Sequence, residues 1–251
     1  HPPRLQTLTS PAAGVPPRVG LSPGQRRLLA MPNRYRPLAA IAALLGWSAL
    51  GLQLALSIQL TLANGQGALN GVWIYLGYFT VLTNALAALA LTAAAAIGSG
   101  PTARFFRRPD VHTALAMSIV IVCAIYNLML RQLWHPHGWQ IVADNGLHVL
   151  MPLLFVLHWW VAVPKASLRW AQIGCWQAWP AAYFAYALGR GALTHWYPYP
   201  FLDVTTLGYP RVLLNACAVL LVFIAVAALL LALGRWQVRR AGRNAEVPAR
   251  S

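Results

Sequence analysis

The sequence predicts an all-α protein, a polytopic membrane bundle of six transmembrane helices with both termini in the cytoplasm. Three observations lead there. Hydrophobic residues make up 59% of the 251 positions and charged residues only 9%, where soluble domains are typically about 25% charged. The apolar residues fall into six stretches, each near the roughly 20 residues that a spanning helix needs. The 19 basic residues are shared very unevenly between the connections.

Residues 1–36 come first. They are rich in Pro, Gly, Ser and Arg and carry no apolar period, so a disordered basic extension is expected. No apolar core precedes a cleavage site, which argues against a secretory signal peptide, and Met31 is a plausible start. The membrane domain covers 37–234. Its segments are expected at 37–62, 72–97, 111–133, 146–163, 171–189 and 211–234. Pro101, Pro109, Pro164, Pro198, Pro200 and Pro210 punctuate their ends, as prolines should. Pro152 and Pro180 lie inside segments four and five, and each predicts a kink that neighbouring helices satisfy. Residues 235–251 form a basic cytoplasmic tail.

Orientation follows from the arginines. They crowd before segment one (Arg34, Arg36), between two and three (Arg104, Arg107, Arg108) and after six (Arg235, Arg239, Arg240, Arg243). Lys165 and Arg169 join them between four and five. Only Arg131, Arg190 and Arg211 fall on the opposite side. The positive-inside rule then places both termini in the cytoplasm. The basic charges serve topology and anionic headgroups, so membrane lipids are the expected partners and nucleic acid is not. The expected location is a cell membrane, most simply a bacterial inner membrane.

With orientation set, depth can be counted at 1.5 Å per residue. Thr80, Asn84, Asn127, Arg131, His148, Arg190 and Asn215 all fall in the outer half. Intramembrane polar groups are costly, and a cluster at one depth reads as a functional site. Thr80 and Asn84 share a helix face at i, i+4. A threonine hydroxyl becomes a nucleophile when a base takes its proton, and a neutral imidazole does so near pH 7. The bland reading stands beside this one: Thr80 bonded to the carbonyl at position 76, and the asparagines as interhelical glue. In the inner half, His158 reads as a satisfied polar contact.

Other chemistries are excluded. Asp110, Asp144, Asp203 and Glu246 are all placed at or outside helix ends, which argues against a carboxylate-bridged metal pair. His135-Pro136-His137 is too sparse for a metal site, so no metal and no cofactor is expected. Cys123, Cys175 and Cys217 show no CxxC spacing. No spanning lysine could carry a retinal Schiff base, and no P-loop or GxGxxG occurs.

Tyr78-Phe79-Thr80, Asn145-Gly146-Leu147-His148 and Tyr197-Pro198-Tyr199-Pro200-Phe201-Leu202-Asp203 resemble the androgen-induced membrane protein family and its bacterial six-helix relatives. The resemblance spans about residues 37–234. It implies an intramembrane threonine hydrolase that cleaves a lipid or fatty-acid ester. Thr80 then matches the family's nucleophile and His148 its histidine. Asn84, Asn127, Arg131, Arg190 and Asn215 would hold the lipid carboxylate or oxyanion. The chain departs from the pattern at Asp144-Asn145-Gly146, which lacks a preceding histidine, and at Thr83-Asn84. The non-enzymatic alternative is a small transporter or lipid-binding scaffold. The loop Thr194–Tyr209, long and aromatic, is expected to fold over the outer mouth.

Overall fold

The computed structural model describes residues 31–96, 100–133 and 135–246, with side chains as far as 243. Residues 1–30 and 247–251, most of the expected extension and the end of the tail, lie outside the described residues. Every regular element among the described residues is helical. A short 3-10 turn, Asn33–Tyr35, leads into α1 (Arg36–Ala63), followed by α2 (Ala68–Tyr75) and α3 (Phe79–Ala95). Then come α4 (Pro101–Phe106) and α5 (Pro109–Ile125), which ends in a π-helical turn, Tyr126–Leu130. α6 (Trp139–Asn145) runs through a second π-helical turn, Gly146–Leu150, into α7 (Met151–Ala162). The short α8 (Gln172–Trp176), α9 (Ala178–Thr194) and the long α10 (Val204–Glu246) complete the chain.

Four stretches are long and apolar enough to cross a membrane: Asn33–Ala63, Pro109–Leu130, Trp139–Ala162 and Val204–Arg243. The pair α2 and α3, bent by 77°, makes a fifth if it is one span. Helices of this kind belong to multi-pass membrane proteins. α9, with 17 residues, reaches about 25 Å at 1.5 Å per residue, a little short of a hydrocarbon core of about 30 Å.

Small residues set the packing of α1. Ala39, Ala42, Ala43, Gly46 and Leu50 are buried, a stripe at helical period that lets α3 and α7 approach closely. A β-carbon on Gly46 would lie 2.6 Å from the Met151 Cε and 3.5 Å from the Ala88 Cβ. Trp47 donates from its indole to the Thr92 hydroxyl, 3.1 Å away on α3.

Segment two differs from its expectation as a single helix over 72–97. It breaks at Leu76-Gly77-Tyr78, where Tyr78 is extended and α3 starts afresh. The break frees two carbonyls, and buried carbonyls need donors. Tyr183 donates to Gly77 O at 2.8 Å and Tyr186 to Leu76 O at 3.2 Å, both from α9. The expected kink at Pro180 is also corrected: Pro180 is the third residue of α9, where a missing N–H removes no helical bond. Pro152 lies in one helical run with the π turn before it. The Leu147 and His148 carbonyls ahead of it receive Asn84 and Asn127 from neighbouring helices. The bend near Pro210 lies at Gly208, whose φ of 71° interrupts α10. The tail begins as helix, since α10 continues to Glu246.

The two ends of the bundle are chemically different. Arg107 donates to Ala93 O and Ala96 O at the end of α3, and Arg235 lies over Trp170. At the other end, Arg131 meets Asn127 and Arg190 meets Trp73.

Candidate functional site

The π-helical turns lie against each other. Each adds one residue to the helical ring and so turns a side chain out of register, a feature frequent at functional sites. Asn127, in the first, donates to the His148 carbonyl in the second at 3.3 Å. Tyr126 and His148 stack ring on ring, centroids 3.6 Å apart and planes 12° from parallel.

His148 is held from below by Asp144, one turn earlier. Its Nδ1 lies 2.9 Å from the Asp144 carbonyl oxygen and 3.3 Å from the carboxylate Oδ1. Both neighbours only accept, so Nδ1 carries the proton and Nε2 keeps the lone pair of the neutral ring. The Asp144 carboxylate is buried and accepts a 2.5 Å bond from the Tyr126 hydroxyl through Oδ2. Here the sequence-based placement of all four acids at or outside helix ends needs correction. α6 continues without a break into the second π turn and carries Asp144 into the interior. Its i, i+4 spacing to His148 was the available signal.

Thr80 sits in the first turn of α3, where amide groups have no intrahelical acceptor. Its N–H donates to the Tyr199 phenol at 3.4 Å, and its hydroxyl also meets that phenol. Burial pushes the Tyr199 phenol up to about 12, against the hydrogen bonds to Thr80 that lower it. Tyr199 therefore stays protonated at neutral pH. The back-bond from Thr80 to position 76 expected on the bland reading does not occur, because the extended Tyr78 puts Leu76 outside the helix that carries Thr80.

Asn84 connects the two parts. Its side-chain N–H donates to Thr80 O at 2.8 Å and to Leu147 O at 3.2 Å. Asn127 receives Arg131 on its side-chain oxygen at 2.9 Å. Asn84 from α3 and the Arg131–Asn127 pair from the end of α5 thus meet the second π turn at two adjacent carbonyls, Leu147 and His148. No hydrogen bond joins Thr80 to His148 among the described residues.

Arg190 and Asn215 lie apart from this network. Asn215 donates to Phe201 O at 3.0 Å and fastens the α9–α10 connection. That connection folds back on the bundle, with Tyr199 and Leu202 buried. Arg190, 4% exposed, lies between the indoles of Trp73 and Trp196, at 4.1 and 4.9 Å. It donates to the Tyr186 hydroxyl at 3.2 Å, while Nε and one terminal nitrogen are buried without an acceptor. Gly77 leaves room for it, since a β-carbon there would be 2.7 Å from the guanidinium.

A cavity of about 300 Å³ opens beside Thr80, within the size range of small-molecule sites. Phe79, Ile121, Tyr126, Phe184, Leu202 and Phe223 are among its walls, and the surface is almost wholly apolar. Thr80, Tyr126, Tyr183 and Tyr199 are its hydroxyl-bearing residues. His148 does not line it but backs onto Tyr126, which does. Tyr126, Asp144 and Tyr199 were not picked out as site residues from the sequence. No protein-family model, no curated protein and no solved structure matches the chain.

Proposed function

We propose that the chain is a six-span membrane protein of the bacterial inner membrane, with both termini cytoplasmic, that binds a lipid-like ester and hydrolyses it with Thr80 as nucleophile. The observation that carries this reading is the apolar cavity with Thr80 at its wall. An acyl chain suits such walls, and the ester would lie where the hydroxyls are. The resemblance to the androgen-induced membrane protein family points to the same residue. α2–α3 and α8–α9 supply the spans beyond the four long helices.

In this reading Thr80 attacks the ester carbonyl while His148 takes its proton on Nε2 and passes it to the departing alcohol. Water, deprotonated in turn by His148, then cleaves the acyl-threonine, and the proton returns to Thr80. Asp144 fixes the tautomer that leaves Nε2 bare. The neutral Tyr199 phenol, which receives the Thr80 amide, offers a donor to the developing oxyanion. General-base transfer works directly or through one water. Tyr126 faces both the cavity and His148, and its movement would open the path. Asn84 and Asn127 hold the two halves in register, Arg131 steadies Asn127, and Asn215 keeps the lid shut. Arg190 would take the anionic end of the lipid.

A second reading has one specific observation in its favour: the phenol of Tyr199, not an imidazole, sits on Thr80. A lipid-binding scaffold or carrier needs no Thr80–His148 contact. Turnover and binding of a long-chain ester, measured side by side on wild type and Thr80→Ala, separate the two. The hydrolase reading expects turnover in the wild type, its loss in Thr80→Ala, and retained binding in both. His148→Ala should cost about 100-fold or more, and the two losses should not add. Equal binding with no turnover in either protein supports the carrier.

A further inference from the structure

The arginine-rich end of the bundle holds a second recess. It lies where α7 ends against the last turns of α10, and has a volume of about 500 Å³. Its walls include Trp160, Lys165, Trp236, Gln237 and Arg240. It shares no residue with the cavity beside Thr80, and the proposed hydrolysis makes no use of it.

The local chain explains its shape. After Ala162 the backbone turns extended at Val163, and Lys165 folds back over the end of α7. Its ammonium donates to the carbonyls of Trp159 and Trp160, the latter at 2.9 Å. Those are last-turn carbonyls, where a helix runs out of its own donors, and Trp159 O also receives the Val163 N–H at 3.4 Å. Lys165 also lies over the Trp159 ring at 4.5 Å. From α10, Trp236 stacks against Trp160 with centroids 6.3 Å apart, and Arg240 lies over Trp236 at 5.3 Å. Gln237 reaches the Trp160 carbonyl at 3.4 Å.

Two cations therefore share a recess with a pair of indoles, and no carboxylate lines it among the described residues. The carboxylate contacts to basic side chains among the described residues are Arg108 with Asp110 and Asp144 with His148, and neither is here. Burial alone pulls the Lys165 ammonium down to about 8, with no anion to oppose the shift. Helix capping accounts for Lys165 but not for Arg240, whose guanidinium is exposed above the groove. Indoles at the end of apolar helices mark headgroup depth, and basic groups beside them attract anionic lipid.

We propose that this recess binds the phosphate of an anionic phospholipid, held by Lys165 and Arg240 and flanked by Trp160 and Trp236. The lipid occupies a defined site here, beyond the diffuse attraction of a basic surface. Native mass spectrometry of the whole chain in neutral detergent, with phosphatidylglycerol or phosphatidylcholine at sub-saturating levels, tests this. Phosphatidylglycerol should be retained preferentially. Arg240→Gln should lower its occupancy about fivefold, as should Lys165→Gln, since each basic group near a membrane surface contributes about 1 kcal/mol. The double variant Arg34→Gln, Arg104→Gln removes two exposed cations from the same end and should leave occupancy unchanged. If Lys165→Gln does not fold, Arg240→Gln decides alone. Equal retention of the two lipids overturns the proposal, as does an equal loss in the Arg34, Arg104 variant. Displacement of phosphatidylglycerol by millimolar inorganic phosphate assigns the recess to the free ion and overturns the lipid.

Discussion

Two buried polar clusters occupy opposite halves of the bundle, and they are built differently. Around His148, hydrogen bonds cross from helix to helix, and Asn84 Oδ1 is the buried atom left without a partner. Tyr126 reaches Asp144, Asn84 reaches Leu147, and Asn127 reaches the His148 carbonyl. Around His112 the opposite holds. His112 is wholly buried, stacks on Phe155 and lies 5.4 Å from His158 between centroids. Yet both His112 ring nitrogens and Nδ1 of His158 lack a partner. The hydrogen bond nearby, from the Trp159 indole to Thr113 at 3.0 Å, bypasses both imidazoles. The first cluster also carries the two π turns and backs onto a cavity, through Tyr126; the second has neither. Polar residues at one depth do not by themselves make a site. Cross-helix partners, a register shift and empty volume distinguish the half where chemistry is plausible.

Stability measurements can break this contrast. The largest effect is expected from Asp144→Ala, which strips the Tyr126 hydroxyl of its acceptor and His148 of its carboxylate. Leaving such groups unsatisfied costs about 1–3 kcal/mol. Its unfolding midpoint in detergent should fall well below wild type, and Asp144→Asn, which keeps an acceptor, should recover part of the loss. His112→Leu should have the smallest effect. It removes no hydrogen bond and two unpartnered nitrogens, so its midpoint should equal or exceed that of wild type. Thr113→Val supplies the scale between them, at about 0.6 kcal/mol for one interhelical bond. If His112→Leu drops as far as Asp144→Ala, the two halves are energetically alike and the contrast fails.

What could be read from the sequence follows the same physics. Depth counting placed Thr80, Asn84, Asn127 and His148 together, because rise per residue is fixed within a helix. The hydrogen bonds pair Asn84 with the Thr80 carbonyl and Asn127 with the His148 carbonyl, and Asn84 links the pairs through the Leu147 carbonyl beside His148. Depth counting put Arg190 and Asn215 in the same half but could not give their partners. Their partners, Trp73, Trp196 and Phe201, lie in segments whose course depends on tertiary contacts. The break at Gly77 was hidden by an unbroken apolar run, since donors from Tyr183 and Tyr186 make it tolerable and those sit about a hundred residues away. Asp144 was missed because a charge near a predicted helix end reads as solvated. His158, read as a satisfied contact, has a bare Nδ1. A hydropathy pattern reports burial and is silent on partners. The aromatic connection after α9 could be foreseen as a cover for the mouth, but not that Tyr199 would be the residue to meet Thr80.

The central claim is that Thr80 is a nucleophile at an acyl-chain cavity. A long-chain fluorophosphonate or β-lactone probe, incubated with the purified protein, tests it when the modified peptide is located by mass spectrometry. The account predicts one adduct, on Thr80, abolished in Thr80→Ala and strongly slowed in His148→Ala. Lipid-ester turnover with the label on another residue, or with Thr80 unmodified at full inhibition, would contradict it.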